Sequence, residues 1–198
     1  MATRKLGQVS LVYPIPIVLV GAEVNGRPNF ATVGDCAVMG LNPALVTVSL
    51  AATHFTTEGI VSNRAFSINF PATRMIDRVD YCGMVSGRDV DKTSLFEVVR
   101  GETGVPIAAE CPVSLECSLV EETRIEHRVV FLAKVTQAHI DEALVRVVDG
   151  RVQLPEMSAL DPIIYALDNR YYAIGKPIGT GYQEGKGLME ADSGSAPT

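Results

Sequence analysis

The sequence predicts a mainly β protein, an antiparallel barrel or sandwich with a few short flanking helices. Three observations predict it. Short runs rich in Val and Ile recur along the chain, with turn signals between them at hairpin spacing. Two of these runs, Ala65 to Phe70 and Val113 to Val120, alternate in the manner of antiparallel strands. Asn25-Gly26 and Asp149-Gly150 stand where tight hairpins need left-handed backbone angles.

Ile15 to Val24 is an apolar run bounded by Pro16 and the Asn25-Gly26 turn, so the chain is expected to return as a second strand. That return, Phe30 to Val38, is small and polar for a core element, with Ala31, Thr32, Gly34, Cys36 and Ala37. After a turn at Asn42-Pro43 comes a third strand, Leu45 to Leu50. Thr56 is expected to cap a short helix reaching Asn63, with Glu58 suiting its positive end. Ala65 to Phe70 places Phe66, Ile68 and Phe70 on one face of a strand. Thr73 is expected to cap a second helix to about Val85, and a charged loop, Ser86 to Lys92, follows. Val113 to Val120 pairs with Arg128 to Thr136 across a charged link, Glu121 to His127. Further hairpins are expected at Asp149-Gly150 and at Asp168-Asn169.

The 198 residues suit one domain over 1–186, with a flexible C-terminal tail over 187–198 that is rich in Gly, Ser, Ala and Pro. With 17 basic and 23 acidic residues the net charge is −6, and no basic face is built. Neither nucleic acid nor an anionic membrane is therefore expected as a partner. The longest apolar run is cut by Gly21 and Glu23, too short to span a bilayer, and Met1 to Ser10 lacks a secretory pattern. A cytoplasmic protein is the expectation. The four cysteines lack CxxC spacing and are expected as inert thiols, and the three histidines show no ligand spacing, so no metal is expected. A Cys–His nucleophile of Cys36 or Cys82 with His54 stays open.

Common catalytic motifs fail. In Gly179-Thr180-Gly181 the third glycine, Gly185, falls one residue late for a dinucleotide loop, and no strand–helix–strand unit follows. There is no Walker loop, and the serine in Gly83 to Gly87 is misplaced for a nucleophile elbow. Three features remain. The small strand Asn29 to Cys36 would let a flat ring lie against backbone, or its Gly34 would merely turn a barrel corner. Ser49 to Thr57 runs from a strand end into a helix start, where free amides and threonine hydroxyls could bind a phosphate. Ser86 to Lys92 could close over an anion with Arg88 and Lys92, or be a solvated turn.

Together these resemble the flavin reductase-like family, in its flavoredoxin and ferric-reductase-like branch. The matching stretches are NFATV (Asn29 to Val33), PALVTVSL (Pro43 to Leu50), THFTTEGIVSN followed by AFSINFP, CGMVSGRDVDK (Cys82 to Lys92) and RYYAIGKPIG (Arg170 to Gly179). The resemblance implies an antiparallel split β-barrel, a homodimer, and FMN as cofactor. It implies NAD(P)H as electron donor and free flavin, Fe(III) or a redox protein as acceptor. Carried over, Thr32, Val33, Gly34 and Asp35 would face the flavin ring. Ser49, Ala51, Thr53, Thr56 and Thr57 would line the ribityl and phosphate side, and Ser86, Arg88 and Lys92 would come from the loop. No side-chain acid or base is implied as catalytic. Family members commonly carry a small residue where Asp35 stands. An acid there would either point away or lower the potential of the flavin.

Overall fold

A computed structural model describes residues 3–186. The segment 187–198, expected as a flexible tail, lies outside the described residues. In chain order the strands begin with β1 (Ile15–Pro16), β2 (Val18–Val24), β3 (Arg27–Val33), β4 (Cys36–Leu41) and β5 (Ala44–Ala51). Helix α1 (Phe55–Asn63), β6 (Ala65–Phe70) and α2 (Ile76–Met84) follow, then β7 (Val98–Arg100), β8 (Pro106–Ala108) and the long pair β9 (Val113–Ile125) and β10 (Arg128–Ile140). The C-terminal part holds β11 (Arg146–Val148), β12 (Arg151–Gln153), α3 (Met157–Leu160), β13 (Ile164–Ala166) and β14 (Arg170–Tyr172). Among the described residues no helix is long and apolar enough to cross a membrane.

Seven strands form one antiparallel sheet in the order β3-β2-β6-β9-β10-β5-β4. Its two outer strands, β3 and β4, are consecutive in the chain and joined only by Gly34 and Asp35. Three chain steps reach at most about 10 Å, so the sheet must curl until its edges nearly meet. The fold is a split barrel. The stretch expected as one strand, Phe30 to Val38, is in fact the end of β3 and the start of β4. It changes partner at Gly34-Asp35 because β3 pairs with β2 while β4 pairs with β5.

Val18, Val20, Val48, Leu50, Phe66, Ile68, Val129 and Phe131 fill the barrel. On the other face of β2 and β3, Leu19 and Phe30 join Met75, Val79, Cys82 and Phe96 in a second core beneath α2. Strand β2 is thus buried on both faces, the physical reason that its sequence reads as an uninterrupted apolar run. The Asn25-Gly26 hairpin forms as expected, with φ of 52° and 77° and Val24 opposite Arg27.

Three local expectations are corrected. Helix α1 has His54, not Thr56, at its N-cap. The Thr57 hydroxyl instead donates to Ala51 O at 2.8 Å, and Thr56 Oγ1 accepts from Asn29 Nδ2 at 2.7 Å. The second helix begins after a 3-10 turn, Thr73–Met75, and the Thr73 hydroxyl is taken by Asp161 rather than by the helix end. The charged stretch after Val120 is mostly strand. β9 runs to Ile125, and Glu121 to Ile125 pair residue for residue with Leu132 to Arg128 of β10, because polar side chains suit a ribbon exposed to water.

Candidate functional site

Strand β5 ends at Ala51, and a short turn carries the chain into α1. His54 N–H donates to Ala51 O and Thr57 N–H to His54 O, both at 3.0 Å. The amides of Phe55 and Thr56 at the helix start have no backbone acceptor among the described residues. Thr56 and Thr57 are buried, Ala51 is half-buried, and Thr53 and His54 face outward. The turn is therefore fastened by threonine hydroxyls from within, while Thr53 stays on the outer side.

The second predicted segment folds onto this turn. Asn29, buried on β3, donates to Thr56, and a Cβ on Gly87 would overlap the Asn29 carboxamide. Only glycine lets the 86–92 loop lie so close. Ser86 opens that loop, its carbonyl accepting the amides of Asp89 and Val90 and its hydroxyl the amide of Arg88. Arg88 pairs with Glu58 and lies 5.2 Å from the centre of the Phe55 ring, clasping the first turn of α1. Lys92 is not a surface cation of the loop. Only 3% exposed, it donates to Phe30 O at 3.0 Å and Cys82 O at 2.9 Å, and burial lowers its pKa. Its ammonium is mainly a strut between β3 and α2.

The third segment is the crossing. Thr32 donates to Val79 O of α2, and Val33 is buried in the barrel core. Gly34 is pressed by Ile15, whose Cγ2 would lie 2.8 Å from a Cβ there. Asp35 is exposed and pairs with Arg128 at the start of β10. The same guanidinium donates through Nε to Ser49 Oγ at 3.2 Å and through Nη2 to Ser49 O at 2.8 Å. Two adjoining hollows share Ile15, Gly34 and Asp35. One, of about 490 Å³, also touches Cys36 and Ser49; the other, of about 390 Å³, touches Gly83, Met84 and Tyr171. Those sizes fall in the ordinary range for small-molecule sites.

Electrostatics join the turn to the crossing. The pKa of His54 is lowered by partial burial and then by the nearby charges of Arg128 and Lys92. The positive charge of Arg128 thus reaches the start of α1, whose free amides suit an anion. Burial pushes the thiols of Cys36 and Cys82 up to about 11, away from the thiolate that a Cys–His nucleophile requires. The site can bind and orient a group, but its own side chains offer no reactive pair.

All twelve predicted residues lie on these three segments. Val33 is core, Thr32 and Lys92 hold α2 in place, and the others border the turn, the crossing or the loop. Two residues that complete the arrangement were missed as site residues, Asn29 and Arg128. Asn29 opens the NFATV stretch and had a sequence signal. Arg128 had none, since its contacts to Asp35 and Ser49 depend on β10 lying beside β5.

The model of the flavin reductase like domain matches residues 10–165. Among solved structures, a flavoredoxin from Methanosarcina acetivorans is 34% identical, with a TM-score of 0.89 over 96% of this chain and 100% of that one. The flavoredoxin of Desulfovibrio vulgaris is 30% identical, with a TM-score of 0.84 over 93% and 100%. An FMN-binding protein from Thermus thermophilus, with bound 1-cyclohex-2-enone, is 25% identical, with a TM-score of 0.74 over 91% and 97%. A match spanning most of the chain, on a split barrel shared with these structures, shows that the protein belongs to the flavin reductase-like family, a family of flavin-related redox proteins.

Proposed function

We propose that this protein is an FMN-binding oxidoreductase that passes reducing equivalents from NAD(P)H through the flavin to free flavin, ferric iron or a partner protein. The observation that carries the reading is the meeting of Asn29, Thr56 and Gly87, from three distant segments, on the strand that leads to the hollows lined by Gly34. A barrel needs no such convergence for its own core. The donors fit FMN: amides and the Thr53 hydroxyl at the α1 start suit its phosphate, and the hollows along Gly34 and Asp35 have the volume for a flat ring. In this reading Ser49, Ala51, Thr56 and Thr57 shape the ribityl side, and Ser86 and Arg88 close the loop over it. Lys92 holds β3 and α2 at the spacing that the ring requires. Bound FMN supplies the hydride and electron chemistry, and the protein sets its exposure and electrostatic surroundings.

A homodimer and a cytoplasmic setting belong to the same reading. Support for the dimer comes from β4, an edge strand whose Val38, Met39 and Leu41 are all exposed. The test is the absorbance spectrum of the purified protein with FMN, before and after NADH or NADPH. A bound-flavin band that bleaches with nicotinamide supports the reading, and absence of any flavin binding refutes it. A band that bleaches with dithionite but with neither nicotinamide favours a second reading, an electron carrier. The flavoredoxins among the similar structures at 30% identity or more support that alternative.

A further inference from the structure

The least expected residue of the site is Asp35, a carboxylate at the two-residue crossing where the hollows meet. Its side chain is 63% exposed and pairs with Arg128, which is 34% exposed and arrives from β10, far along the chain. Ser49 ties the backbone of Asp35 to the guanidinium of Arg128. Its amide donates to Asp35 O at 2.9 Å, and its hydroxyl and carbonyl accept from Arg128 at 3.2 and 2.8 Å. Both Asp35 and Ser49 line the hollow of about 490 Å³, and the guanidinium bonds to both of them. Such fastening is more than a surface ion pair needs, since exposed pairs contribute little to stability.

We infer that the Asp35–Arg128 pair is a charge-balancing clamp in which Arg128 cancels the penalty that the Asp35 carboxylate would otherwise place on reduced flavin in this site. The inference rests on the FMN reading above. Reduction of FMN by two electrons and one proton leaves one additional negative charge on the ring. A lone carboxylate beside the ring would penalise that charge, and a lone guanidinium would favour it. Together, fixed by Ser49, they present no net charge, so the acid does not set the potential alone. Each charge thereby acts on the flavin, and each offsets the other.

The clamp makes opposite predictions for its two halves. Affinities for oxidised FMN and for dithionite-reduced FMN are measured on the wild-type protein, Asp35→Asn, Arg128→Gln, Arg128→Lys and the double variant Asp35→Asn/Arg128→Gln. At several ångströms and high effective dielectric each charge is worth roughly a threefold change in the reduced-to-oxidised affinity ratio. That ratio is expected to rise roughly threefold in Asp35→Asn and to fall roughly threefold in Arg128→Gln, or about 15 mV in opposite directions for a two-electron couple. Arg128→Lys and the double variant stay near the wild-type ratio. A ratio that moves the same way in both single variants, or in neither, overturns the inference. Should Arg128→Gln not fold, an unchanged ratio in Asp35→Asn is sufficient to overturn it. Failure of the wild-type protein to bind FMN would instead refute the function proposed above.

Discussion

Lys92 shows how one buried cation can serve geometry before chemistry. Its ammonium spans Phe30 O and Cys82 O, so Lys92→Met would leave two carbonyls without their donor. The expected cost is about 1–3 kcal/mol, read as a lower urea midpoint, because buried acceptors are expensive to strand. Glu116, wholly buried on β9, is a second case. It accepts from the amides of Glu102 and Thr103, the Thr103 hydroxyl and His139 Nε2. Burial alone would push its carboxyl up, but the bonds from Thr103, His139 and Glu102 outweigh burial and hold it near 2, against an ordinary 4.5. A depressed folded pKa means that the stabilisation is full above about 4.5 and is lost as pH falls towards about 2. Urea midpoints measured across that window should fall steeply for the wild-type protein. Glu116→Gln should start lower at neutral pH and show a flatter acid limb.

Among the elements, α1 is the one whose seating places the site. Gly59 lies against β2, where a Cβ would come 2.9 Å from Val24 Cγ2 and overlap Glu23 O. On an open helix Gly→Ala would stabilise by about 1 kcal/mol. Here the sign reverses, and Gly59→Ala is expected to lower Tm by the amount that overpacking of about 1–3 kcal/mol brings. Because α1 would be lifted with it, FMN retention on a desalting column should fall as well. Elements were legible where pattern decides them. The strand over Ala65–Phe70 and the two Gly-containing hairpins follow from alternation and left-handed turn residues. Capping was misjudged because a threonine hydroxyl goes to the nearest strong partner, and for Thr56, Thr57 and Thr73 that partner is tertiary. No local rule contains it.

At the scale of the whole molecule, the candidate segments were legible and their mutual arrangement was not. The family resemblance and the helix-end signal at Thr53 to Thr57 pick out three candidate segments. What joins them, Arg128 on Asp35 and Ser49, depends on strand order across the barrel, which a linear pattern does not carry. The strand order has another effect, on the timing of synthesis. The predicted site residues lie between Thr32 and Lys92, yet the strands that seat β5 and β6 are β10 and β9. A nascent chain that ends before Val113 holds every predicted site residue but lacks both β9 and β10. A fragment ending at Pro112 is therefore expected to show no protection of the 50–60 segment in hydrogen exchange and no FMN binding. The ligand would then meet the chain only after its C-terminal half has left the ribosome.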